Sequence, residues 1–205
     1  MTTPLTPQEI EEERIIAKRR VDFLDSKLAA LSLQQRQQLM TKLAETAKQA
    51  VDLLCENLVT KKILASPDRP ISVNLVILSS KEMPTRNGRT VSGAAWPDKG
   101  TIGVLNHLVF APEEVIRSLV IHECLHMLYT LTQHKPSKQL EIRGSIKDEY
   151  SEPYHVEEEW VRRMEAEICG LNHNLEYWEL AVEEFGDNWK PAYDKLIGSG
   201  SPCGF

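Results

Sequence analysis

Apolar residues recur at helical spacing through the first third of the chain. Between residues 7 and 31 they alternate at intervals of four and three: Ala17, Val21, Leu24, Leu28 and Leu31. Ser32 followed by Gln35 has the spacing of a capping box, which predicts a second helix that runs to about residue 64. Two amphipathic helices with almost no loop between them predict an antiparallel hairpin, packed on the rest of the protein or on a second subunit.

Strand-like patterns follow a break at residues 66–70, whose sequence is SPDRP. Residues 71–79 are rich in β-branched side chains and predict a buried strand. Residues 81–91 are polar and predict a loop. Residues 93–96 and 101–105 predict two short strands around a Pro-Asp-Lys-Gly turn, and therefore a β-hairpin.

Residues 112–133 predict the central helix of the protein, because apolar side chains cover most of its surface. Acidic residues stand in its first turn, where the helix dipole favours them. Three further helices are predicted at residues 154–171, 175–185 and 189–197. Residues 199–205 predict a flexible tail.

Composition and charge exclude several classes of protein. The 205 residues, 41% hydrophobic and 26% charged, suit one globular core with an extension. A net charge of −6 gives no reason to expect nucleic acid or an anionic membrane as a partner. No apolar run is long enough to span a bilayer, and the N-terminus lacks the pattern of a signal peptide. The four cysteines show no CxxC pairing, which favours reduced thiols in the cytoplasm.

The central helix contains the motif His122-Glu123-Cys124-Leu125-His126, an HExxH sequence. Two histidines four residues apart lie on one face of a helix, so both imidazoles can reach a single ion. Glu123 points about a quarter turn away, where it can meet a water on the ion without binding the ion itself. Two core histidines with this spacing are the alternative, but unpaired polar groups on so apolar a helix would be costly. The motif therefore predicts zinc, with His122 and His126 as ligands.

A catalytic zinc site needs a third protein ligand, and the helix predicted at residues 154–171 supplies the candidates. Its buried stripe is defined by apolar residues: Trp160, Val161, Met164, Ile168 and Leu171. Glu157 falls in the middle of that stripe, Glu158 on its flank and Glu159 on the opposite side. A carboxylate in the middle of an apolar face is expected to have a partner, so Glu157 is the predicted ligand. Glu158 is the first alternative and His155 the second.

Three segments resemble the gluzincin-type zinc metallopeptidases, in particular the minimal phage-encoded enzymes and the ImmA/IrrE-like group. They are the hairpin AAWPDKGTIGVLN, the helix VIHECLHMLY and the downstream helix EEEWVRRMEAEI. The resemblance implies an α+β fold, a minimal zincin-like domain in which a small sheet packs on the HExxH helix and on a second zinc-ligand helix. With the boundary placed at the break of residues 66–70, we divide the chain into an N-terminal helical extension at residues 1–65, a metallopeptidase domain at residues 66–198 and the tail at residues 199–205.

The resemblance also implies an enzyme that hydrolyses peptide bonds with Zn²⁺ as cofactor and Glu123 as general base. A peptide or protein would be its substrate, held along one of the two hairpin strands by strand addition. Tyr150 and Tyr154 are candidate donors to the oxyanion, whereas Tyr129 shares the face of the two histidines but is expected to pack in the core. The alternative is a metal-stabilised zincin-fold module for binding or assembly, with little or no proteolysis and with the N-terminal helices as its oligomer interface. Retention of Glu123 argues against that alternative, because a structural zinc site has no use for a general base.

Overall fold

The computed structural model describes residues 6–57, 73–86, 88–132, 152–169 and 174–199, and its fold is α+β, as predicted. Six helices occur in these residues: α1 Pro7–Ala30, α2 Leu33–Glu56, α3 Glu113–Thr132, α4 Glu152–Cys169, α5 Asn174–Phe185 and α6 Trp189–Ser199. Five strands accompany them: β1 Asn74–Leu78, β2 Thr85–Arg86, β3 Arg89–Thr90, β4 Gly93–Trp96 and β5 Thr101–Leu105. Each helix that the hydrophobic pattern predicts is present.

The N-terminal hairpin of α1 and α2 begins its second helix as predicted. The hydroxyl of Ser32 accepts a hydrogen bond from the backbone N–H of Gln35, whose side chain accepts one from the backbone N–H of Ser32. This capping box starts α2 directly after α1 has ended. Extended backbone at Asn57 ends α2 earlier than expected, and residues 58–72 lie outside the described part of the chain.

The main sheet has three strands in the order β1-β5-β4. β1 runs parallel to β5, whereas β4 is antiparallel to β5 and lies at the edge of the sheet. A 3₁₀ turn at Pro97–Lys99 joins β4 to β5, and Gly100 closes it with a positive φ of 58°, which favours glycine. The predicted β-hairpin is therefore confirmed, and β4 presents a strand edge beside α3.

A second, two-stranded sheet lies in the segment that was predicted to be a loop. β2 and β3 pair as an antiparallel hairpin, with Thr85 opposite Thr90 and Arg86 opposite Arg89. Gly88 has a φ of 77° near the tip of this hairpin. Strands of two residues bury too little to show an alternating pattern, which is why the sequence did not reveal them.

The core is built around α3, which packs against α2, α4, α5 and the main sheet. Its most deeply buried residues are all aliphatic: Val115, Val120, Ile121 and Leu125. Leu43, Ala47 and Ala50 of α2 belong to the same hydrophobic cluster. The second N-terminal helix, α2, therefore buries its apolar stripe against the HExxH helix, whereas α1 packs mainly on α5 and β3. The predicted boundary at residue 65 falls outside the described residues and stays a prediction.

None of the helices that the structure describes has both the length and the apolar character that a membrane crossing requires. The predicted tail also falls outside the described residues, apart from Ser199, the last residue of α6. α5 and α6 pack on each other, and α5 also packs on α3 and α1.

Candidate metal centre

α3 places His122 and His126 one helical turn apart, with both imidazoles directed towards α4. The ring centroids are 4.8 Å apart, and the two Nε2 atoms are 3.1 Å apart. The side chains are 19% and 14% exposed, so the pair is largely buried but still within reach of solvent. Both histidines therefore occupy one helix face, as their spacing requires.

Glu158 of α4 completes a group of three potential ligands. One of its carboxylate oxygens is 3.7 Å from Nε2 of His122, and the other is 3.4 Å from Nε2 of His126. The ligand atoms of these three residues lie within 4.8 Å of one another, an arrangement that could hold a metal ion. No other group of this kind occurs among the residues that the structure describes.

Two further carboxylates hold the imidazoles from their opposite side. Glu157 Oε1 is 2.8 Å from Nδ1 of His126, and Glu165 Oε2 is 3.1 Å from Nδ1 of His122. The hydroxyl of Ser118 donates to the other oxygen of Glu165. Because an ionised carboxylate only accepts hydrogen bonds, each Nδ1 carries the hydrogen of its imidazole.

That tautomer leaves a lone pair on each Nε2, and the two lone pairs meet across 3.1 Å. In the neutral pair, two nitrogen lone pairs so close repel each other, so the arrangement calls for a positive charge between them, either a proton or a metal ion. A tetrahedral ion with metal–nitrogen bonds of about 2.0–2.1 Å would hold two nitrogens about 3.3–3.4 Å apart, close to the observed separation. The residues present therefore fit a bound metal ion.

The charges around the two imidazoles favour a cation in the same place. Burial alone would lower the pKa of His126, but hydrogen bonds to two glutamates and the charge of Glu123 raise that pKa to about 9. Burial would also lower the pKa of His122, but the hydrogen bond to Glu165 and the nearby negative charges outweigh this effect, and the pKa of His122 is raised. Burial would raise the pKa of Glu158, but its hydrogen bond to His126 and the neighbouring positive charges hold that pKa well below its usual range. An excess of negative charge that attracts protons to the imidazoles also attracts a divalent cation.

Glu123 lies beside this group without being part of it. Its carboxylate is directed at the edge strand: a Cβ atom added to Gly93 of β4 would lie only 2.5 Å from Glu123 Oε1. The residue is 7% exposed, and burial raises the pKa of its carboxyl although the charges of His122 and His126 oppose this. A buried carboxyl therefore lies next to both imidazoles and to β4.

The structure brings Glu158, and not Glu157, to the Nε2 side of the histidines. Glu157 is the more buried of the two side chains, 11% against 16% exposed, as its place in the apolar stripe predicts. Its oxygen, however, contacts Nδ1 of His126. The deeper position on α4 thus orients an imidazole, while the flanking position faces the two Nε2 atoms. The side chain of His155, the second alternative, lies outside the described part of the structure.

The candidate oxyanion donors are only partly described. Tyr150 and the side chain of Tyr154 lie outside the described residues. Tyr129 packs on Trp160, with the ring centroids 5.4 Å apart, so its ring takes part in the contact between α3 and α4. That packing agrees with the core role that any aromatic residue on this face could have.

Three residues near the centre were not anticipated from the sequence: Ser118, Arg162 and Glu165. Ser118 precedes His122 by four residues and Arg162 follows Glu158 by four, so each lies one helical turn from a potential ligand. A polar residue on an otherwise apolar helix face, one turn from a potential ligand, is the signal that could have identified Ser118. Glu165 lies two turns beyond Glu158, where the sequence alone does not show which side chain of α3 it meets.

Comparison with the models of known protein families, with curated proteins and with solved structures finds no match for this chain. The spacing of His122 and His126 on α3 fits an HExxH-like motif. The fold and the site together define an α+β protein with a candidate metal centre formed by two histidines of one helix and a glutamate of the next.

Proposed function

We propose that this protein is a zinc-dependent metallopeptidase of the gluzincin type, in which His122, His126 and Glu158 bind the ion. The observation that carries the proposal is the pair of Nε2 atoms 3.1 Å apart with the Glu158 carboxylate beside them. Three protein ligands leave a fourth position for water, which is the arrangement of catalytic rather than structural zinc sites. Bound Zn²⁺ would supply Lewis acidity toward the attacking water and the substrate carbonyl.

Glu123 is the proposed general base. It would accept the proton of the attacking water and deliver it to the nitrogen of the leaving amine. The orientation of the imidazoles supports this role, because Glu157 and Glu165 already hold both Nδ1 atoms and Glu123 is not needed for that purpose. A buried carboxylate with no part in holding the ligands is of use to a hydrolase and of none to a structural zinc site.

The proposed substrate is an extended peptide that pairs with the free edge of β4. Among the described strands β4 pairs with β5, so one row of its backbone N–H and C=O groups is available to another strand. Gly93, Ala94 and Ala95 have small side chains that leave this backbone accessible. Because Gly93 contacts Glu123, a peptide added there would run past the proposed base.

The thiols support a cytoplasmic location. Cys55 and Cys124 are both free, and burial raises the pKa of Cys124 to about 12. The Cys124 thiol therefore stays protonated at neutral pH and does not compete with the histidines as a metal ligand. Free thiols persist in a reducing compartment, which is why we place the protein there.

Metal analysis of the purified protein tests the site. We expect about one zinc per chain, as for a site with three protein ligands. Glu158→Gln removes a ligand and should abolish stoichiometric zinc, whereas Glu157→Gln should weaken the affinity by only about 10–100-fold. Glu159→Gln, an exposed neighbour on α4, is the matched control and should keep the metal. If Glu157→Gln abolished stoichiometric zinc and Glu158→Gln only weakened the affinity, Glu157 would be the ligand instead of Glu158.

A cleavage assay on a denatured protein substrate tests the reaction. Glu123→Gln should retain zinc and lose cleavage, because it removes the base and leaves the ligands in place. Wild-type protein without zinc would overturn the proposal. Wild-type protein that binds zinc but cleaves none of a broad set of peptides would favour the binding-module alternative.

A further inference from the structure

Arg162 links the third potential ligand to the next helix. It follows Glu158 by one turn of α4, and its Nε donates to Glu158 Oε1 over 2.8 Å. Its terminal nitrogen donates to Glu176 Oε1, at the start of α5, over 3.3 Å. One planar guanidinium therefore contacts a carboxylate at the metal centre and a second carboxylate on α5.

An ordinary surface pair is the simpler interpretation of this contact. Glutamate and arginine four residues apart on a helix often pair, and such exposed pairs contribute little. Two observations set this pair apart. The Glu158 side chain is only 16% exposed, and its two oxygens face the Nε2 atoms of His122 and His126. Glu176 also provides Arg162 with a second anchor on a different helix, which a simple pair along one helix lacks.

The orientation of Glu158 matters because a glutamate side chain has several freely rotating bonds. A carboxylate that must find its ligand position on each binding event gives a weaker site than one held there in advance. The contact to Oε1 restricts that rotation and keeps Oε2 on the side of His126. The negative charge of Glu176 offsets the positive charge of Arg162, so the guanidinium can orient Glu158 with less repulsion toward a bound cation.

We propose that Arg162 is a positioning residue of the metal centre, which holds the Glu158 carboxylate toward the two imidazoles and is itself held by Glu176 of α5. The inference rests on the metal-binding part of the proposed function and does not require peptidase activity. It assigns α5 a part in metal binding, through a contact that lies outside the set of ligands.

The test is the affinity of the full-length protein for Zn²⁺, measured by competition with a chromophoric chelator. Arg162→Met should weaken Zn²⁺ binding by about 10–100-fold, the usual effect of removing a residue that orients a ligand. Arg162→Lys should lose less affinity than Arg162→Met. The lysine ammonium can contact Glu158, but it lacks the planar guanidinium that contacts Glu158 and Glu176 at the same time. The Zn²⁺ affinity of Glu176→Gln should fall between those of the wild type and Arg162→Met. Arg163→Met, an exposed neighbour on the same helix, is the control and should bind as wild type.

Two measurements separate positioning from a general loss of stability. Thermal unfolding of the metal-free variants should show similar midpoints for Arg162→Met and Arg163→Met, while only the former loses affinity. The visible spectrum of bound Co²⁺ should change in Arg162→Met, because the ligand geometry changes. Wild-type affinity in Arg162→Met would overturn the inference, and so would an equal loss in Arg163→Met. Wild-type protein that binds no Zn²⁺ would instead overturn the proposed function, and the inference with it.

Discussion

Replacing Gly93 by alanine tests the contact between the edge strand and the proposed base. The new Cβ atom would lie 2.5 Å from Glu123 Oε1, 2.7 Å from Leu119 Cδ1 and 2.9 Å from Glu123 Cγ. Favourable non-bonded contacts between carbon atoms lie at about 3.5–4.0 Å, so the methyl group overlaps two side chains by about 1 Å. Leu119 is 4% exposed and packed in the core of α3, which leaves it little room to move.

The size of the effect follows from these overlaps. Overpacking of this kind costs about 1–3 kcal/mol, and the smaller unfolded-state entropy of alanine offsets about 0.4–1 kcal/mol of it. We therefore expect a net loss of about 1–2 kcal/mol in the free energy of unfolding. With a urea m-value of about 1–3 kcal/mol per molar, the unfolding midpoint should fall by roughly 0.5–1 M.

In the Gly93→Ala variant, the overlap can be relieved if β4 moves outward or if the Glu123 carboxylate turns away. Either movement displaces the base from the strand along which we propose that the peptide binds. Cleavage should therefore fall by more than the loss of folded protein explains, while the zinc content stays the same.

Urea unfolding followed by circular dichroism, metal analysis and the cleavage assay together measure these effects. Gly198→Ala is the matched control, because no atom lies within 4 Å of the Cβ position at Gly198 of α6. This control should be neutral or slightly stabilising. If Gly93→Ala unfolds at the wild-type urea concentration and cleaves at the wild-type rate, the strand does not press on Glu123 and the reasoning is wrong.

Three further predictions concern Glu165, the packing of α2 and the buried His107. Glu165→Gln should weaken Zn²⁺ affinity by about 10–100-fold in the chelator competition, and an unchanged affinity would exclude a role for this carboxylate in holding His122. Ala47→Leu should lower the free energy of unfolding by about 1–3 kcal/mol in one transition, because α2 packs tightly on α3, and a separate transition would mean that the N-terminal helices fold independently. Stability should also fall with acid. Burial lowers the pKa of His107 below 6.5, even though Asp25 opposes this, so the folded state favours the neutral imidazole. The contribution of His107 to the free energy of unfolding is complete above about pH 6.5. It is lost as the pH falls below that value, since the unfolded chain takes up the proton first. His107→Gln should therefore flatten the fall in urea midpoint between about pH 7 and pH 5, and an unchanged slope would contradict this assignment.

The amphipathic helices could be predicted because each one buries an apolar stripe that repeats in the sequence at helical spacing, and α3 could be predicted because apolar residues cover most of its surface. The capping box at Ser32 and Gln35 needed no knowledge of the rest of the chain, since its hydrogen bonds join residues three apart. The hairpin of β4 and β5 was equally local. By contrast, β2 and β3 are too short to carry a pattern, and they could not be predicted.

For the candidate centre, the sequence by itself determined that His122 and His126 share a helix face, because the spacing of a helix places residues four apart on one side in any fold. It also predicted a third ligand from the acidic cluster on α4. Only the tertiary structure could place Glu158 at the Nε2 atoms and Glu157 at Nδ1. One residue turns a helix by about 100°, so the choice depends on how α4 is rotated against α3. That rotation results from the packing of many side chains between the two helices, and no local pattern in the sequence contains it.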